Sequence, residues 1–175
     1  TIHNSYTGIW LHASHNNQII ENNITENIFG LEIQLSENNV FKGNNFTENL
    51  GHFDIYGEDF EDFVQIIDNS NLLDGKKFIY LLNSSDILID PSLYPDTGYV
   101  CLVGCRNITV ENLKLHNGSI VLAYTNHSCI SECQVVQGTI TLISSWYNII
   151  EQNIVSNGGI SLSESHINTV RENKL

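Results

Sequence analysis

Three stretches of this chain are written on one template: Gly8-Ile-Trp-Leu-His-Ala-Ser14, Gly30-Leu-Glu-Ile-Gln-Leu-Ser36 and Gly159-Ile-Ser-Leu-Ser-Glu-Ser165. Each carries two apolar residues at a spacing of two, with a serine three positions later. Taking the first apolar residue as a register mark yields Ile9, Leu31, Phe53, Ile79, Val100, Ile120, Ile140 and Ile160. Successive marks lie 22, 22, 26, 21, 20, 20 and 20 residues apart. Two residues after each mark stand Leu11, Ile33, Ile55, Leu81, Leu102, Leu122, Leu142 and Leu162. No polar residue enters either column, so the period governs the fold.

Further columns follow. Five residues past the marks are Ser14, Ser36, Glu58, Ser84, Cys105, Thr125, Ser145 and Ser165. Ten past are Ile19, Phe41, Phe63, Ile89, Val110, Ile130, Ile150 and Val170. Thirteen past are Asn22, Asn44, Ile66, Ser92, Leu113, Cys133, Asn153 and Asn173, and fifteen past are Ile24, Phe46, Asp68, Tyr94, Leu115, Val135, Val155 and Leu175. The third unit fits badly after Glu58. Apolar spacing of two, broken by turns, is strand periodicity and not the 3.6 period of a helix. The fold expected is all-β: a right-handed parallel β-helix of about eight rungs of 20–26 residues. Leucine-rich repeats share the period, but their leucine consensus and helical segment are missing. Asparagine, 23 residues and as frequent as isoleucine, then has a structural task. Stacked at an inward corner, asparagines bond to their equivalents above and below, and others serve turns.

Residues 1–175 read as a single β-helix segment with a longer, insertion-bearing rung at about 53–78. Ile2 precedes Ile9 by seven residues, as Ile24 precedes Leu31, and so matches the last strand of a preceding rung. Neither end shows a capping helix, which implies part of a longer solenoid, or ends covered by partners. Seven Lys and Arg against twenty Asp and Glu argue against a nucleic-acid partner. No apolar run is long enough for a membrane span. The first residues do not form a signal peptide, so the chain is unexported, processed or a fragment.

With the columns aligned, the unit Gly8-Ile-Trp-Leu-His-Ala-Ser-His-Asn-Asn-Gln-Ile-Ile-Glu-Asn-Asn-Ile24 resembles the repeats of NosD-like proteins. Those belong to a wider group of β-helical carbohydrate-binding proteins and sugar hydrolases. The block Ile67-Asp-Asn-Ser-Asn-Leu-Leu-Asp-Gly-Lys-Lys-Phe-Ile-Tyr-Leu-Leu82 resembles a second element of that family, found in archaeal cell-surface proteins. Gly98 to Leu113 and Val121-Leu-Ala-Tyr124 continue the likeness. Lys77 departs from it, standing where that block more often has proline. The resemblance implies an extracellular or cell-surface location. It also implies a periplasmic copper-accessory role, although the chain has no methionine to offer a soft metal.

Residues one and three past each mark should face outward. In the first three rungs these are Trp10, His12, Glu32, Gln34, Asp54 and Tyr56, with His52 nearby. An indole beside carboxylates and amides suits a sugar, whose apolar face packs on the ring while its hydroxyls meet the polar groups. Glu32 and Asp54 fall on adjacent rungs, about 4.8 Å apart at the backbone, near the roughly 5–5.5 Å carboxyl separation of retaining glycosidases. They are the catalytic candidates, though solvent-facing strand positions are ordinarily polar. The long rung also holds Asp54, Glu58, Asp59, Glu61 and Asp62. These oxygens could serve Ca²⁺, but neither an EF-hand nor an RTX spacing is present, and a plain acidic loop with packed phenylalanines explains them as well. No other cofactor is expected.

In later rungs the outward positions read Tyr80, Leu82, Cys101, Val103, Val121, Ala123, Thr141 and Ile143. An apolar stripe on a face expected to be wet implies a cover: the 57–77 insertion, a second copy or another domain. The Cys101/Cys105 and Cys129/Cys133 pairs span about 13 Å on extended strands, too far for local chelation. Cys105 and Cys133 fall in inward columns as packed thiols, and a Cys105–Cys129 disulfide has no support from register. His3, His116, His127 and His166 read as turn or surface residues. Glycosylation sequons lie at Asn23, Asn45, Asn83, Asn107, Asn117 and Asn126, the first two pointing outward. Three functions follow: an envelope repeat protein that assembles or presents a binding face, a module that binds or cleaves polysaccharide, and a copper accessory.

Overall fold

A computed structural model describes residues 1–175, with the side chain of His52 outside the described set. The chain is an all-β solenoid of about eight turns built from stacked parallel coils. It divides into two compact units, Thr1–Phe78 and Ile79–Leu175. The boundary lies inside the strand Lys76–Leu82.

In the first unit three sheets wrap one core. Strands Thr7–His12, Phe29–Gln34 and Gly51–Tyr56 pair in parallel, with Ile9 on Leu31 on Phe53 and Leu11 on Ile33 on Ile55. Strands Gln18–Ile20, Val40–Lys42 and Ile66–Ile67 form the second sheet. The third sheet stacks Ile2 on Ile24 on Phe46 on Leu73. The seven-residue offset of Ile2 is thus a real rung position. Leu31, Ile33, Phe41 and Phe46 are buried, because alternation on each short strand sends them inward.

The third rung departs from the expected columns. Ile67, not Phe63, pairs with Phe41. Asn71 takes the place expected for Ile66, and Leu73 that of Asp68. The cause is a single 3₁₀ turn, Phe60–Phe63, capped by Asp59 and anchored by the fully buried Phe63. It absorbs the extra residues and resets the register four to five positions later. Gly57 allows the turn, since a Cβ there would lie 2.3 Å from that of Asp62. The rung then ends in an antiparallel hairpin, Leu72 opposite Lys77 and Leu73 opposite Lys76. Asp74 and Gly75 form its tip, both at positive φ (48° and 76°), as a two-residue hairpin turn requires. The parallel-only expectation missed this reversal.

In the second unit the columns hold from Val100 onward, whereas Ser92 and Tyr94 of the rung before lie in a turn outside any strand. Val100, Ile120, Ile140 and Ile160 stack in register, as do Leu102, Leu122, Leu142 and Leu162. Ile89, Val110, Ile130, Ile150 and Val170 form the second wall. Leu115, Val135 and Val155 form the third.

Polar side chains link the rungs at the corners. The Asn22 backbone N–H donates to Asn44 Oδ1 (3.0 Å), and that of Asn44 donates to Asn71 Oδ1 (3.1 Å). Asn44 Nδ2 reaches back to the Ile19 carbonyl at 2.7 Å. Parallel ladders run through Asn17, Asn39 and Gln65 and through Asn27 and Asn49. In the second unit the same contact is made by Cys105, Thr125, Ser145 and Ser165, by Ile108, Ser128, Asn148 and Asn168, and by Cys133, Asn153 and Asn173. Other asparagines, among them Asn16, Asn38, Asn107 and Asn157, adopt the left-handed backbone of turns.

Replacing buried Asn44 by Leu removes the acceptor of the Asn22 N–H and the donor to the Ile19 carbonyl. The expected cost is about 3 kcal/mol, from a buried carbonyl and a half-buried N–H left unsatisfied together with the lost amide contacts. Asn23→Ala, on the neighbouring exposed position, should cost less than about 0.5 kcal/mol. Urea unfolding of both variants checks the contrast; equal midpoints would contradict it.

Candidate functional site

The sheet of Thr7–His12, Phe29–Gln34 and Gly51–Tyr56 sets the outward residues in two ranks. Trp10, Glu32 and Asp54 are register partners in one, and His12, Gln34 and Tyr56 in the other. The six residues singled out from the sequence therefore share one face. Trp10 is 62% exposed and Tyr56 51%, while Glu32, Gln34 and Asp54 are half-buried. The Trp10 and His12 rings lie 5.5 Å apart, tilted by 35°. Thr7, which sequence reasoning passed over, donates its hydroxyl to the Glu32 carboxylate. Its signal was obscure, because Thr7 lies outside the two-residue alternation that marks the others.

Electrostatics single out Asp54. Burial first, and the neighbouring Glu32 second, push its carboxyl from 3.8 up to about 6. Burial, then Asp54 and Glu32, push the Tyr56 hydroxyl up to about 12. Asp54 thus holds a proton into the weakly acidic range and can donate a hydrogen bond to a ligand oxygen, beside an indole face open to solvent.

The acidic loop is organised around itself. The backbone N–H groups of Glu58 and Asp59 both donate to Asp62 Oδ2, at 2.9 and 3.2 Å. Phe63 packs inward and Phe60 is half-buried. Among the described residues no three His, Cys, Asp or Glu side chains are placed to hold a metal ion, and Asp54, Glu58, Asp59 and Asp62 do not form such a group.

The apolar stripe is not an open face. Cys101, Val103, Val121 and Ala123 are buried within the single chain, and Tyr80, Leu82, Thr141 and Ile143 are half-buried. The strand Thr97–Val103 is buried along its whole length, on both of its faces. Those four positions need no second copy to keep them from water.

All four cysteines are free thiols. Cys105 donates to the Leu81 and Val103 carbonyls and Cys133 to that of Val110, so both fill ladder corners as inward residues. Burial raises the thiols of all four; Cys133 reaches about 11, and Cys101 lies higher still. Asn23 is exposed and Asn45 half-buried; Asn45 Nδ2 contacts Asn23 Oδ1 at 3.4 Å, so these two sequon residues form an outward pair. His127, read from sequence as a turn or surface residue, is exposed and stacks on Tyr147 at 4.9 Å and 3°.

The chain matches the family described as periplasmic copper-binding protein (NosD), over residues 1–63 and 64–175. It belongs to that family. No curated protein and no solved structure matches it. The donors at hand do not fit copper. Three of the four thiols are buried, burial raises all four towards the protonated form, methionine is missing from the sequence, and the described histidines do not converge. Among the described residues no helix is long and apolar enough to cross a membrane.

Two measurements test this geometry. Since Asp54 is raised from 3.8 to about 6 on folding, its burial does not destabilise the fold below about pH 4. The penalty grows between pH 4 and 6 and is complete above 6. Asp54→Asn should therefore gain melting temperature over the parent as pH rises through that window, and a constant difference would contradict the raised value. For the thiols, native alkylation should modify half-exposed Cys129 well before Cys101, Cys105 and Cys133. Peptide mass mapping reads the order.

Proposed function

We propose that this protein is a cell-envelope β-helix module that binds polysaccharide through the face of Trp10, Glu32, Gln34, Asp54 and Tyr56. The observation that carries the reading is Trp10, an indole 62% exposed and in register with two carboxyl groups on the next two rungs. An indole held open on a sheet presents a flat apolar face that a ligand can cover. A sugar ring does so, giving its C–H face to the indole and its hydroxyls to the flanking carboxyls and amide. Rung stacking fixes these groups before the ligand arrives, so little ordering entropy is lost on binding. The envelope location rests on the family, whose name describes a periplasmic protein.

Affinity electrophoresis through gels containing neutral, acidic and amino polysaccharides tests the reading. At least one polysaccharide should retard the protein, and Trp10→Ala should weaken that retardation about tenfold, or 1.4 kcal/mol. Glu32→Gln with Asp54→Asn should weaken it further. No retardation in any gel, or identical mobility of Trp10→Ala, would refute the proposal.

A further inference from the structure

The first unit carries a second surface that the polysaccharide face does not use. At one corner of the coil Tyr6, Ile28 and Leu50 occupy equivalent positions on consecutive rungs, locked by bonds from the Ile28 N–H to the Ser5 carbonyl (3.1 Å) and the Leu50 N–H to the Asn27 carbonyl (3.1 Å). Their side chains are 70%, 43% and 79% exposed. The equivalent files at the other two corners of the unit read Gln18, Val40, Ile66 and Asn23, Asn45, Leu72, so of the three only this one is apolar throughout. Beside them runs a second file, Asn4, Glu26 and Glu48, all exposed. The two files border a groove of about 410 Å³ with Asn27 between them. The surroundings are acidic: residues 1–78 hold twelve Asp and Glu against three Lys and no Arg.

We infer that this groove docks a peptide segment of a partner protein that carries aliphatic and basic side chains together. The apolar file offers contact to aliphatic groups, and the Glu26 and Glu48 carboxylates offer charge complementarity to lysine or arginine. An anionic lipid surface is repelled by the same carboxylates. A sugar chain is the poorer fit, because two of the three apolar side chains are aliphatic and present no flat ring face. The exposed Tyr6 ring, packed edge-on against Phe29 at 5.5 Å, supplies a rigid anchor at one end.

Fluorescence anisotropy with a labelled lysine–leucine octapeptide tests the inference on the full chain, with glutamate–leucine and lysine–serine octapeptides as comparators. Only the lysine–leucine peptide should bind. Tyr6→Ser with Leu50→Ser should weaken it at least tenfold, and Glu26→Gln with Glu48→Gln about fivefold with a flatter salt dependence. Trp10→Ala should leave it unchanged, which separates this site from the polysaccharide face. Equal binding of either comparator, or no loss in the two double variants, would overturn the inference. Displacement of the peptide by chitosan oligosaccharide at lower concentration than unlabelled peptide would overturn it in favour of a glycan. All four positions are on the surface, so the variants keep the fold.

Discussion

The structure depends on one contact repeated along its corners: a backbone N–H of one rung donating to a side-chain oxygen of the next. Without it, each turn would leave an N–H facing the core with no partner, at a cost of about 1–3 kcal/mol. With it, the polar corner and the apolar walls reinforce each other. Asn44, entirely buried, illustrates the economy, since it accepts from the rung before and donates both to the rung after and back to Ile19. The same geometry is met by amide, hydroxyl or, at Cys105 and Cys133, by a thiol occupying the corner while its own N–H is received by the next rung.

The walls were legible in the sequence because they obey a strict count. From Val100 onward every column stands where spacing puts it. Legibility failed after Glu58 for a physical reason. A 3₁₀ turn consumes residues at a different rise, and counting cannot see how many it consumes until Phe63 is known to be buried. The amide corner is legible only in part: the Asn22 column follows from the count, whereas the ladders through Asn17 and Asn27 stand in none of the aligned columns. An inward asparagine and a turn asparagine look alike in sequence, and only their partners distinguish them. Likewise, strand alternation placed Trp10, Glu32 and Asp54 on one face, but burial of the outward Cys101 and Val103 could not be read from alternation, which assumes that one face of each strand meets water.

The two surfaces of the first unit show how a uniform scaffold acquires local character. On the sheet, a half-buried aspartate beside a second carboxyl keeps its proton into weakly acidic solution. At the corner, exposed glutamates stand beside aliphatic side chains. The backbone beneath both is the same coil, so the difference lies in which positions a rung fills with rings or carboxyls, and this is why fold and function separate so cleanly here.

The linkage of corner residues has an evolutionary side. Because each amide serves two neighbours, substitutions in a column should co-vary between positions 20 to 22 apart, whereas the outward positions drift independently. Gain or loss of a whole rung preserves every such pairing, but a one-residue insertion breaks a column unless a device such as the Phe60–Phe63 turn absorbs it. Lineages carrying this coil should therefore differ in length by entire repeats, with irregular lengths concentrated where an aromatic-anchored turn already exists.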